Sequence, residues 1–333
     1  MTTETSHSSA TTGARVSSPA AGGARLKYYL AIARPSHWFK NVFILPGVVL
    51  ALVLTHKPWQ GVVLNFIIGF ASACLITSAN YTLNEWLDAE FDQHHPLKKH
   101  RPSVQGLVSA RGVRVQYALL ALLGLGLSWI VSPGFFLTAL LLLVMGAAYN
   151  IKPLRTKDKP YVDVLSESVN NPIRLLLGWF MVTTLPLPPS SITVAYWMGG
   201  AFLMAVKRYA ELRLIADKSQ AVLYRHSFRF YTEENLLVSI LFYAMCFAFF
   251  FGIFMIKHRI ELLLSLPFFA LMFAWYLHIG MAENSPAQRP EQLYKQKGFM
   301  LLVVATVLVA TVLFFVRWPL LHWFLNNSFI GEH

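Results

Sequence analysis

Within NEWLDAEFDQHHPLKKHRP, from Asn84 to Pro102, four of the chain's 16 acidic side chains precede Lys98, Lys99 and Arg101. On a helix turning about 100° per residue, Asn84, Asp88, Asp92 and Glu85 share one arc of roughly 100°, whereas Glu90 points about 240° from Asn84. Three carboxylates and an amide on one face repel each other unless a cation joins them. Such hard oxygen ligands suit Mg²⁺ that is also held by phosphate oxygens. The competing explanation is a solvated helix end paired with Lys98, Lys99 or Arg101.

A second polar interruption, YVDVLSESVNNPIRLLLGW, runs from Tyr161 to Trp179. With Asp163 at zero, Glu167, Asn170 and Arg174 fall near about 40°, −20° and 20°, forming a single stripe. Arg174 lies ~16 Å beyond Asp163 along such a helix. An arginine at that depth in an apolar segment marks a functional interior, or else an ion pair with Glu167 that locks helices together. Two shorter stretches add cations. In AVKRYAELR, Lys207 and Glu211 stand one turn apart, an ion-pair spacing, with Arg208 beside them. In RPSHWFKNV, Trp38 and Lys40 suit either an interfacial anchor or a phosphate contact. There is no Walker-type glycine loop, no Ser-His-Asp spacing and no zinc signature.

The elements that must hold these groups are apolar. The 333 residues are 56% hydrophobic and 13% charged, with a mean hydropathy of +0.50. Soluble domains carry roughly 25% charged residues, so this is membrane-protein composition. Runs long enough to span a bilayer occur at 37–56, 62–83, 114–132, 134–151, 161–185, 190–212, 234–257, 260–281 and 298–318, which predicts about nine transmembrane helices. Pro46 interrupts the first, and a Ser-Pro-Gly turn makes the third and fourth an antiparallel pair. The tail 1–26, rich in Ser, Thr, Ala and Gly, is expected to be disordered and is no signal peptide. The membrane domain spans 27–325, and 326–333 is a short C-terminal tail. Cys74 and Cys246 lie in apolar runs and support no disulfide framework.

A net charge of +12 might suggest nucleic acid, but the basic residues are dispersed between apolar segments. Of the 28 Lys and Arg, 23 fall on the N-terminal side and in alternate junctions; only Lys57, Lys257, Arg259 and Arg317 fall in the others, and Arg174 lies within a span. That asymmetry predicts a cytoplasmic N-terminus, both acidic patches on the cytoplasmic side, and an outward C-terminus where Trp318 and Trp323 suit the interface.

Asn84-Glu85-x-x-Asp88-x-x-x-Asp92 resembles the first aspartate-rich motif, NDxxDxxxD, of the UbiA-type membrane prenyltransferase superfamily. Asp163-x-x-x-Glu167 resembles its second motif, DxxxD. Glu85 and Glu167 stand where the family usually has Asp. The RPSHWFKNV, HPLKKHRP, Tyr149-Asn150-Ile151-Lys152 and VKRYAEL segments are similar to the branch that transfers phosphoribose to decaprenyl phosphate. The resemblance implies an all-α membrane bundle of the bacterial plasma membrane, with phosphoribosyl pyrophosphate as donor, a polyprenyl phosphate as acceptor, and a product feeding lipid-linked arabinose for cell-envelope glycan. It implies Mg²⁺ held by Asn84, Glu85, Asp88, Asp92, Asp163 and Glu167, the last four aspartate-motif carboxylates being the catalytic ones. Lys98, Lys99, Arg101, Lys152, Lys207 and Arg208 become candidates for donor phosphates, Lys40 and Arg174 for the lipid phosphate, with Asn84 and Asn170 beside them. A homo-oligomer is compatible with all of this. Two other readings stay open: transfer of a polyprenyl chain to an aromatic acceptor, and a transporter lined by intramembrane charges.

Overall fold

The computed structural model describes residues 22–319 apart from 185, 216, 284 and 289. The expected tail up to residue 21, Trp323 and the tail 326–333 lie outside the described residues. Residues 22–26, assigned by composition to the tail, form the first turn of a helix instead, α1 (Gly22–Ala33). The remaining helices are α2 (Leu45–Thr55), α3 (Val63–Leu87), α4 (Ala89–Asp92), α5 (Ala110–Val131), α6 (Pro133–Asn150), α7 (Val162–Ser168), α8 (Asn170–Val182), α9 (Ser190–Ile215), α10 (Lys218–Tyr224), α11 (Glu233–His258), α12 (Leu266–Met281) and α13 (Lys297–Phe315). Among the described residues there is no strand.

The all-helical expectation holds, and the count of spans changes. Seven helical segments are long and apolar enough to cross a membrane: Arg25–Thr55, α3, α5, α6, α11, Ile260–Met281 and α13. The two expected spans that do not qualify are 161–185 and 190–212. The first is interrupted at Val169 into α7 and α8. Pro172 has no N–H to give the Ser168 carbonyl, so the ladder loses a rung there. The second, α9, is 26 residues long but carries Lys207, Arg208, Glu211 and Arg213 in its last turns. Pro46 does not interrupt a span either. It opens α2 within the first two positions, where its missing N–H goes unused. The Ser-Pro-Gly turn forms as expected: the Ser132 hydroxyl accepts from the Phe135 amide at 3.1 Å and donates to the Phe180 carbonyl at 3.0 Å.

Packing follows from the chain's solvent. Large apolar side chains such as Leu122, Trp129, Leu241 and Leu301 face outward, as lipid contact requires, while the interior is filled by Phe135, Leu177, Trp179 and Phe254 in one cluster and Phe202, Phe228, Tyr231 and Leu236 in another. Without water to drive helices together, close association rests on small residues. Gly47 of α2 and Gly178 of α8 supply it: a Cβ at Gly47 would stand 2.0 Å from the Leu175 carbonyl oxygen, and one at Gly178 would stand 2.1 Å from that of Ile44.

Candidate active site

The C-terminal ends of α3, α6 and α9, the N-terminal end of α7 and the loop after α10 bring the charged segments to one end of the bundle. Helix α3 stops at Leu87, and Asp88 makes a one-residue joint to α4. From that joint the acidic side chains fan out. Glu85 is buried and receives the Arg34 guanidinium through Nη2 at 2.7 Å and Nε at 3.2 Å. Asp92 pairs with Arg101. Asp88 pairs with Lys157, and the Arg155 guanidinium lies 3.4 Å from the same oxygen. Glu90 is exposed.

The second patch is built differently. One fully buried guanidinium, Arg208, holds three carboxylates: Asp163 through Nε at 3.0 Å, Glu211 through Nη1 at 2.9 Å, and Glu167 through Nη2. The remaining valences of Asp163 are filled by the Tyr231 hydroxyl at 2.5 Å, the Ser227 hydroxyl at 3.3 Å and Arg225 at 3.5 Å. The Tyr149 hydroxyl donates to Glu167 at 2.8 Å and accepts from Arg208 at 3.1 Å and Arg225 at 3.3 Å. The Lys157 ammonium lies 5.8 Å from the Tyr149 ring centre, so this tyrosine joins the two patches.

Exposure separates the carboxylates. Glu85, Asp92, Asp163 and Glu211 keep at most 3% of their side-chain surface accessible, whereas Asp88 keeps 17% and Glu167 26%. The two accessible ones belong to different patches. Outside the spans, burial lifts the Asp92 carboxyl above its ordinary value while Arg101 pulls it down, and burial draws the Lys157 ammonium down to about 8 against the pull of Asp88. His95 is pushed to about 3 by burial and the nearby Lys98 charge, so it is neutral at pH 7; its Nδ1 accepts from the Leu97 amide at 3.1 Å and shapes the loop. Beside Glu85, Arg34, His37, His100 and Arg101 line a cleft of about 370 Å³.

Several sequence-predicted residues land elsewhere than their spacing suggests. Glu211 takes Lys98 at 3.2 Å, together with Arg208, rather than Lys207; Lys207 lies 3.7 Å from Glu167. Lys98 also donates to the Tyr224 hydroxyl. Arg174 is buried and makes no ion pair with Glu167. Its Nε donates to Asn41 at 3.3 Å and its Nη1 to the Asn170 carbonyl at 3.3 Å, and Asn170 in turn donates to the Glu167 carbonyl at 2.9 Å. Lys40 approaches His37 at 3.3 Å. Lys99 and Lys152 are exposed and point away from the cluster. The expected metal ligands divide between one ion at Asn84, Glu85, Asp88 and Asp92 and a second assisted by Asp163 and Glu167; as the side chains are arranged here, no group of three His, Cys, Asp or Glu among the described residues converges closely enough to hold an ion.

Residues that the motifs did not single out complete the cluster: Arg34, Asn150, Arg155, Lys157, Tyr224, Arg225 and Tyr231. Lys157 is the plainest case. Its ammonium donates to the Asn150 side-chain oxygen at 2.7 Å and lies 3.4 Å from the Asn84 oxygen while pairing with Asp88. The basic 149–160 junction was visible in the sequence, but which of its four cations turns inward depends on the 3₁₀ turn Thr156–Asp158.

A helical membrane bundle with two acidic patches meeting at one end defines the class. The chain belongs to the UbiA prenyltransferase family, whose sequence profile spans residues 42–303. It is 30% identical over 204 residues to a decaprenyl-phosphate phosphoribosyltransferase of Mycobacterium tuberculosis, covering 61% of this chain and 65% of that protein. It is 31% identical over 208 residues to the protein of that name in Mycolicibacterium smegmatis, covering 61% and 62%. The matched region thus spans somewhat under two thirds of these relatives' length. Among solved structures, a UbiA homolog from Archaeoglobus fulgidus bound to GPP and Mg²⁺ superposes with a TM-score of 0.64 at 19% identity, over 87% of this chain and all of that one. The protein is an integral membrane protein of this fold.

Proposed function

We propose that the protein transfers 5-phosphoribose from phosphoribosyl pyrophosphate to a polyprenyl phosphate, dependent on Mg²⁺, releasing pyrophosphate and supplying a lipid-linked arabinose precursor for envelope glycan. The observation that carries this reading is the density of cations. Eight of them, Arg34, Lys98, Arg101, Arg155, Lys157, Lys207, Arg208 and Arg225, come from five chain segments to pair with seven carboxylates. A donor with a 5-phosphate in addition to its diphosphate has use for the Arg34–Arg101 cleft as well as the cations around Asp88 and Glu167. The relatives named decaprenyl-phosphate phosphoribosyltransferase support a phosphoribosyl group as the moiety moved and a polyprenyl phosphate as its acceptor.

The donor set fits a hard divalent cation at one place. Oxygens of Asn84, Asp88 and Asn150 already converge on the Lys157 ammonium, a monovalent cation in the position such an ion would take. Asn84 and Asp88 would hold one ion once Lys157 swings aside, and Glu167, backed by Asp163, would assist a second. Glu85 has one buried carboxylate oxygen without a hydrogen-bond partner, and Asp92 would join if Arg101 released it. When bound, Mg²⁺ supplies neutralisation of the charge that gathers on the departing diphosphate.

The chain's own residues do the positioning. Eight cations against seven carboxylates leave almost no net positive charge. Lys157 and Arg155, which pair with Asp88, and Arg101, which pairs with Asp92, would turn to the donor phosphates if bound Mg²⁺ took those carboxylates. Arg208 remains seated on Asp163 and Glu211 and keeps the second patch in place. An oxygen of the acceptor phosphate bonds to the ribose C1 as the C1–O bond to pyrophosphate breaks. That acceptor is anionic at pH 7, so no side chain has to take a proton. Arg174, buried on α8 against Asn41 and paired with no carboxylate among the described residues, is our candidate for the lipid phosphate, with the less buried Lys40 as the other.

The charge asymmetry supports a plasma-membrane protein whose site faces the cytoplasm. The deciding assay incubates purified protein and Mg²⁺ with labelled phosphoribosyl pyrophosphate and a polyprenyl phosphate. Label entering the organic phase is expected. Turnover of a polyprenyl diphosphate with an aromatic acid, and none of the ribosyl donor, would overturn the reading.

A further inference from the structure

A cavity lies at the opposite end from the acidic cluster. It sits between the C-terminal ends of α2, α8 and α11 and the first turn of α9, which begins at Ser190. Arg208 is eighteen residues further along α9, so the two sites are separated by about 27 Å of helix. The volume, about 1030 Å³, matches the upper end of small-ligand sites, roughly 300–1,000 Å³.

Its lining is sorted by chemistry. Trp179 and Phe250 contribute to an apolar wall, Lys57 and Lys257 bring the charge, and His258 adds an imidazole. Only four of the chain's 28 Lys and Arg belong to this end of the bundle, and two of them line this one cavity. A third, Arg259, follows His258 and stacks on Phe314 with its guanidinium 5.7 Å from the ring centre. Among the described residues no carboxylate lies within ion-pair distance of Lys57 or Lys257, in contrast to the acidic site, where each cation of the cluster has one. Lys57 spends one N–H on the Val182 carbonyl, 3.1 Å away, which fixes the ammonium at the rim and leaves two donors. The positive end of the α9 dipole adds to the same field.

From this we infer a second binding site, for a phosphate-bearing anion, formed by Lys57, Lys257 and His258 over an apolar floor. Two cations without counter-ions beside an apolar wall suit an amphiphile with an anionic headgroup, so an anionic phospholipid is the preferred source and a soluble phosphate the other. The site requires nothing of the transferase chemistry.

The test uses the full chain in a neutral detergent. Native mass spectrometry follows retention of short-chain phosphatidylglycerol and of the matching uncharged diacylglycerol, and calorimetry follows inorganic phosphate. Phosphatidylglycerol is expected to bind and diacylglycerol not, with Lys57→Gln and Lys257→Gln each weakening binding about tenfold for a lost charge-assisted contact. Lys257 holds no backbone group, so Lys257→Gln reports on binding even if Lys57→Gln loosens the α8 end. Inorganic phosphate bound as tightly as the lipid, with the same sensitivity to Lys257→Gln, would keep the site and make its ligand soluble. Equal retention of charged and uncharged lipid, or phosphatidylglycerol binding unchanged in Lys257→Gln, would overturn the proposal.

Discussion

The two acidic patches solve the same electrostatic problem in opposite ways. The first deals its carboxylates out: Glu85 to Arg34, Asp88 to Lys157, Asp92 to Arg101, each partner on a different chain segment or loop position. The second collects Asp163, Glu167 and Glu211 on the single guanidinium of Arg208. A pair can be exchanged one at a time as a polyphosphate arrives. The three-to-one knot resists such exchange, because removing its centre strands the buried Asp163 and Glu211 together, and only Glu167 keeps access to solvent. The difference teaches that the first patch is built to be rearranged and the second to stay put.

That contrast can be broken most directly at its centre. Arg208→Met leaves buried Asp163 with only the longer ion pair to Arg225 and buried Glu211 with only that to Lys98, and losing one partner of a buried pair costs about 3–5 kcal/mol. Thermal unfolding in detergent should show a large fall in melting temperature or no monodisperse protein; a wild-type melt would remove the knot's structural role. Asp88→Asn should do the reverse, lowering phosphoribosyl transfer about a hundredfold or more by loss of electrostatic stabilisation while the melting temperature stays close to wild type. Full turnover in that variant would end the assignment of Asp88. Lys157→Met, which removes the cation at the junction of the patches, should lower the transfer rate about tenfold, whereas Lys152→Met should change it little, since Lys152 is exposed. Equal effects of the two would mean that the junction acts only through its total charge. Smallest of all, Glu90→Gln should be silent in both assays, and a loss like that of Asp88→Asn would contradict the register of α3 and α4.

Much of this was legible from spacing. Helical periodicity put Glu90 outside and both acidic stripes on single faces, and the joint at Asp88 is too slight to disturb that register, with the Asp92 amide still bonded to the Asp88 carbonyl at 2.8 Å. What spacing could not foretell is which loop cation reaches which carboxylate. Lys98 crosses 113 positions of sequence to Glu211 although Lys207 stands one turn away. Arg34 reaches Glu85 from a left-handed backbone conformation, φ 51°, that no pattern of residue types announces. Seven segments qualify where nine runs were expected: α9 is long enough but carries four charges in its last turns, and Pro172 divides a run that reads as continuous.

The glycine contact between α2 and α8 bears on how a long-chain substrate gets in. With Gly47 against the Leu175 carbonyl and Gly178 against that of Ile44, α2 and α8 form a seam that cannot part without unmaking close backbone contact. If the substrate is the proposed polyprenyl phosphate, its tail would enter through a different gap in the helical wall. Wedging a methyl group into the seam would tilt the wall rather than widen the door.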